Sequence, residues 1–121
     1  MDFLEGTLNP SELAHAVVDA VASKKASNIL MLDMREVTYL ADYYVLCDGG
    51  TKRQIDAITG ELLDNLKKAG TQPAVLEGSA ESGWVLIDFG SVITHVFTPD
   101  KRAYYQLEEL WRGAPIVVRM L

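Results

Sequence analysis

The sequence predicts an α/β fold, a mixed five-stranded sheet with helices packed against it, and three observations carry that expectation. Two long stretches place apolar residues at helical spacing behind good capping residues. Short runs rich in β-branched and aromatic residues lie between and after them. Two of those runs flank Gly90-Ser91, a two-residue hairpin signal. At 121 residues and 49% apolar content the chain fits one domain over 1–121, with its core at about 10–112.

The first helix is expected over 10–24. Asn9 caps it, Pro10 suits the first helical position, and Glu12 completes a capping box. Leu8 and Leu13 are spaced as a hydrophobic staple, and Leu13, Ala16, Val17, Ala20 and Val21 form the apolar stripe, with His15 off it on the solvent side. Strands follow at 29–33 and 43–48, joined by an irregular piece over 34–42. A second helix, 52–69, opens on a Thr51/Gln54 capping box and stops at Gly70, with Ile55, Ile58, Leu62 and Leu66 facing the core. A short strand at 73–77 is placed near an edge by Pro73. The hairpin strands are 84–89 and 92–97. Thr98-Pro99 starts a third helix that runs to Gly113, with Tyr104, Leu107, Leu110 and Trp111 on its apolar side. The apolar tail, 113–121, has no obvious place; a further strand and a loose docking are both open.

Charge and composition exclude several classes of function. With 17 acids against 11 bases the net charge is −6, and the bases come in scattered pairs, so direct nucleic-acid binding is disfavoured and a basic protein partner is favoured. No apolar run is long enough to span a membrane. Acids occupy the N-terminus where a targeting signal needs bases, so the protein is expected to stay in the compartment that makes it. Cys47, the only cysteine, sits in an apolar run and reads as a small buried hydrophobe, which suits a reducing compartment.

Catalytic chemistry finds little support. Two isolated histidines and one cysteine do not make a metal site, so no cofactor or metal is expected. Asp88 and His95 share a sheet face but have no serine elbow or oxyanion motif with them. The turn Gly49-Gly50-Thr51 leads into a helix start, where free amides can hold phosphate. Nucleotidyltransferases use a similar turn with paired acids on the next strand; here that strand ends in Glu77 alone, so a two-metal site lacks its ligands. A small nucleotide-binding enzyme is the alternative reading; a tight turn into a capped helix accounts for the same residues.

The hairpin register gives a recognition argument. With Phe89 opposite Val92, one face collects Val85, Ile87, Phe89, Val92, Thr94 and Val96, a plain core set. The other collects Trp84, Leu86, Asp88, Ile93, His95 and Phe97. Aromatic anchors with polar neighbours are the composition of a protein interface, and equally of a face covered by a helix around a satisfied histidine. A one-residue bulge at the turn would exchange the faces over one strand. On the interface reading, Trp84 and Phe97 are anchors and Asp88 and His95 polar contacts, while Tyr105 and Glu108, three apart on the third helix, extend the patch.

The sequence resembles the ribosomal silencing factor, or Iojap-like, family. The resemblance rests on Ile29 to Asp33, Ala41 to Leu46, Gly49 to Gln54 with Ala57-Ile58, Glu77-Gly78 and Gly83 to Gly90. It continues through Val92 to Phe97, Arg102, Tyr104-Tyr105, Leu107-Glu108 and Leu110-Trp111. It runs from about residue 10 to Trp111; Ser91 stands where the family commonly has an acid, and 113–121 lie past the shared pattern. The resemblance implies a nucleotidyltransferase-like topology without that activity, a non-enzymatic cytoplasmic repressor and a homodimer. It also implies binding to ribosomal protein L-fourteen on the large ribosomal subunit, which sterically blocks the small subunit.

Overall fold

The computed structural model describes residues 8–121. Helix α1 (Pro10–Ser23) begins at the expected capping box: Asn9 Oδ1 accepts from Glu12 N at 2.8 Å and Glu12 Oε1 from Asn9 N at 3.0 Å. Its buried stripe is wider than expected, adding Ala14 and Val18, while Ala16 is only half-buried; His15 is exposed. Strand β1 (Ser27–Asp33) leads through an irregular loop to β2 (Tyr43–Asp48). In α2 (Lys52–Lys68), Thr51 Oγ1 accepts from Gln54 N at 3.1 Å. The second half of the expected capping box is displaced: Gln54 Oε1 accepts from Gly50 N, one residue earlier. The helix ends in a Schellman motif, with Thr71 N donating to Leu66 O, Gly70 N to Lys67 O, and Gly70 at φ 88°.

Strand β3 (Val75–Ser79) starts two residues later than expected and lies at a sheet edge. β4 (Trp84–Asp88) and β5 (Val92–Phe97) form the hairpin, in which Phe89 N donates to Val92 O and Trp84 pairs with Phe97, the register read from the turn. The tail forms β6 (Ile116–Met120), antiparallel to β1, so the sheet has six strands, not five. Its order is β3-β4-β5-β2-β1-β6, parallel only between β2 and β5. β2 lies inside the sheet with both faces covered, so all six of its residues are buried.

α1 and α2 cover one face. Their Leu13, Val17, Val21, Ile55, Ile58, Leu62 and Leu66 pack on Met31, Val45, Val85, Ile87, Val92 and Val96. A second cluster on the opposite face centres on Leu30, Leu32, Tyr44, Leu46 and Phe97, with Trp84, Ile93, Leu107 and Trp111 partly buried against it. The single third helix does not form. α3 (Pro99–Tyr105) and α4 (Leu107–Leu110) are separated by Gln106, which adopts the left-handed conformation at φ 48°, ψ 50°. The break turns Leu107 and Trp111 onto the sheet and leaves Tyr104 and Leu110 exposed, and the helical structure ends at Leu110, ahead of Gly113. Among the described residues, no helix is long and apolar enough to cross a membrane.

Candidate functional site

The face opposite α1 and α2 holds the polar and aromatic chemistry of the sheet. β5 carries His95 between Ile93 and Phe97, β4 brings Trp84, Leu86 and Asp88 beside them, and β2 adds Tyr44. Trp84 Nε1 donates to His95 Nδ1 at 3.1 Å. That bond assigns the ring's proton to Nε2, because a neutral imidazole accepts at only one nitrogen. Around His95 stand Phe97 (6.0 Å between ring centres, 9° between planes), Tyr44 (5.7 Å), Trp84 (5.8 Å) and Trp111 (5.9 Å). Burial among these rings pulls the His95 pKa down to about 4, so the side chain is a neutral polar spacer at pH 7.

Tyr44 has its pKa raised, first by burial and then by the nearby Asp88 carboxylate, and it too stays neutral. Asp88 is half-buried and already engaged, with Oδ1 accepting from Gly90 N at 2.7 Å; one of its oxygens holds the hairpin turn. On the opposite side of the hairpin, Thr94 is buried in the core face with an unpartnered hydroxyl, as its register position requires.

The six expected contact residues therefore separate. Trp84 and Phe97 are adjacent across the strands, with ring centres 5.1 Å apart, as the register demands. Phe97, however, is 0% exposed and lies beneath the surface, so its place as a surface anchor is corrected to a support for Trp84. His95 is 5% exposed and works mainly through Trp84. Tyr105 lies 4.7 Å from Trp84 between ring centres and is 43% exposed, the most open aromatic of the group. Glu108 does not share a helical side with Tyr105, because the left-handed Gln106 lies between them; it turns inward to Arg102, Nε to Oε2 at 2.9 Å. The free surface of the face is thus Trp84, Leu86, Asp88, Ile93 and Tyr105. A shallow hollow of about 300 Å³ lies over Trp84, Leu86 and Tyr105, bounded by Glu77, Gly78 and Ser82. Gly78 lets β3 lie close against β4 at this edge: at φ +82°, a Cβ there would stand 2.0 Å from Trp84 O.

Sequence reasoning missed Arg102, Asp48 and Asn28 on the same side of the molecule. Asp48 is buried, and Arg102 Nη1 donates to its Oδ1 at 2.9 Å and to Asn28 O at 2.5 Å. The left-handed φ of Asn28, 51°, accompanies the register shift in β1 between Ser27 and Leu30; asparagine tolerates that conformation better than most residues. Arg102, read from the sequence as half of the surface pair Lys101-Arg102, gave no signal of its distant partners.

The glycine turn before α2 is occupied by the protein itself. Gly49 N donates to Phe97 O and Gly50 N to Gln54 Oε1, each at 2.7 Å. A Cβ at Gly49 would meet Ile55 at 2.8 Å, so close packing explains that glycine. Cys47 is fully buried, and burial raises its thiol to about 12, which makes it inert. Among the described residues, no three histidine, cysteine or acidic side chains group as metal ligands.

Comparison with known proteins places this geometry in a family. The family model for ribosomal silencing factor during starvation matches residues 7–120. Ribosomal silencing factor RsfS of Halalkalibacterium halodurans is 41% identical over 91% of this chain and 94% of its own length. The Bacillus subtilis protein of the same name is 39% identical over 90% of this chain and 92% of its own. A crystal structure from Chromobacterium violaceum superposes with a TM-score of 0.83 at 32% identity, covering 86% of this chain and 87% of the other.

Proposed function

Because the chain belongs to the ribosomal silencing factor family, we propose that it represses translation by binding ribosomal protein L-fourteen on the large ribosomal subunit and blocking the small subunit. The observation that carries the reading is the half-open aromatic face of β4 and β5. It offers apolar contact area at Trp84, Leu86, Ile93 and Tyr105 beside the polar groups of Asp88 and His95, on a face that α3 and α4 cover only in part while α1 and α2 close the other. Aromatic anchors ringed by polar groups are what protein interfaces concentrate. A net charge of −6 favours encounter with basic ribosomal proteins and opposes direct contact with RNA.

Steric exclusion needs no covalent step, so the protein acts in the cytoplasm without catalysis or cofactor. The nucleotidyltransferase-like topology is retained as a scaffold alone, and a homodimer is its resting form. Against the alternative of a nucleotide-binding enzyme stands the glycine turn: two amides that would cradle phosphate bond to Phe97 and Gln54 instead. Co-sedimentation with purified ribosomal subunits tests the proposal. The protein pellets with large subunits and not with small ones; equal pelleting with both overturns it. ATP or GTP with magnesium gives no turnover and no thermal shift, and a saturable shift would restore the enzyme reading.

A further inference from the structure

One side chain joins four elements on the open side of the sheet. Arg102, in α3, reaches Asn28 O in β1 and Asp48 Oδ1 at the end of β2 through Nη1, and Glu108 Oε2 in α4 through Nε. Asn28 Nδ2 closes the group by donating to Asp48 Oδ2 at 3.0 Å. The arginine side chain is only 11% exposed, so these bonds form with little competition from water. Glu108 depends on it: Arg102 is its hydrogen-bond partner, and its other oxygen, Oε1, is buried with none.

The backbone is shaped around this contact. Gln106 N donates to Arg102 O at 2.9 Å as Gln106 turns left-handed, which folds α4 back so that Glu108 meets the arginine of the preceding helix. No residue of α3 or α4 is fully buried, and the apolar contacts of the segment, Leu107 and Trp111 on the sheet, lie beyond Gln106, which leaves α3 itself lightly held. Tyr105 is carried at the end of α3, three residues beyond Arg102, and its ring rests on Trp84.

We propose that Arg102 is a positioning residue for recognition: its ion-pair latch to Asp48 and Glu108 docks α3 and α4 on the sheet and thereby fixes Tyr105 on Trp84, completing the contact surface. This deepens the proposed function and rests on it for its binding consequence. Lysine is a poor substitute, because a single ammonium cannot present separate Nε and Nη1 donors in a fixed fork. A residue that only stabilised the fold would weaken binding whether or not Tyr105 were present. A latch acting through Tyr105 loses its effect once that ring is gone.

The test is a double-mutant cycle of Arg102→Lys and Tyr105→Ala, read as affinity for purified large subunits, with hydrogen exchange on the free proteins. Arg102→Lys lowers affinity roughly tenfold in the presence of Tyr105 and less than about twofold in Tyr105→Ala. In the free protein the same substitution speeds exchange of amides in 99–110 and leaves those of α1 and α2 unchanged. Equal losses in both backgrounds, or unchanged exchange in 99–110, overturn the latch. If Arg102→Lys does not fold, Glu108→Gln, which leaves the Arg102–Asp48 pair in place, takes its position in the cycle with the same expectations. Failure of the unaltered protein to bind large subunits would defeat the proposed function, and the exchange measurement would still decide the latch.

Discussion

The two faces of the sheet are built from the same strands and differ in what they leave unfinished. Beneath α1 and α2 the side chains are mostly aliphatic and buried, with Tyr43 and Phe89 near the margin, and Thr94 is the buried polar residue among the strands there. Across the sheet, the cover is two short helices broken at Gln106, and the layer beneath includes His95, Asp48, Tyr44, Trp84 and Phe97. An aliphatic layer stabilises by removing apolar area from water through contacts that are not directional. The aromatic layer keeps its polar atoms satisfied internally, through Trp84–His95 and Arg102–Asp48, while leaving Trp84 and Tyr105 partly open. One face makes the fold; the other is the face we propose for contact.

Substitutions that sharpen this contrast differ in size and in what they affect. The largest belongs to the closed face: Leu62, with 0% exposure, leaves a cavity when cut to alanine, and Leu62→Ala should cost about 3 kcal/mol in a denaturant melt. Affinity for large subunits should be unchanged wherever the variant is folded. The next tests the open face through pH. Burial holds His95 at about 4, below the ordinary 6.5, so between those values the unfolded chain binds a proton that the folded chain refuses. Stability is therefore full above about pH 6.5 and falls as pH drops toward 4, by about 3 kcal/mol in all. His95→Gln should flatten that part of the pH profile relative to the parent protein; an unchanged slope would mean that another group carries it. The smallest lies on neither face: Lys52 pairs with Glu81 at 2.9 Å in the open, and Lys52→Ala should leave both melting and binding at the parent values.

Much of this was legible because it is local. Capping residues at Asn9, Glu12 and Thr51 fixed where α1 and α2 begin, and Gly70 fixed where α2 stops. The two-residue turn at Gly90-Ser91 determined the hairpin register, and that register sorted twelve side chains onto two faces. What was missed depends on distant partners or on an unusual backbone. β6 pairs with β1 near the other end of the chain, although its run Ile116-Val117-Val118 already had the residues of a strand. Glutamine is not a residue that advertises a left-handed break, so 98–113 read as one helix and Glu108 as a surface charge beside Tyr105. Phe97 is buried under Trp84 at the end of the face where Tyr105 of α3 meets that tryptophan, a cover that the sequence did not show. Asn28, Asp48, Arg102 and Glu108 are separated along the chain and meet only in the fold.

Recognition through the open face is tested most directly at its anchor. Trp84 is partly exposed, meets the Tyr105 ring at a tilt and donates to His95, so Trp84→Ala removes the centre of the proposed surface while the opposite core is untouched. Affinity for purified large subunits, measured with a thermal melt on the same sample, should fall by about 2 kcal/mol, roughly thirtyfold, in a protein that remains folded. A folded Trp84→Ala protein that binds large subunits as tightly as the parent would contradict the account and place the contact elsewhere on the molecule.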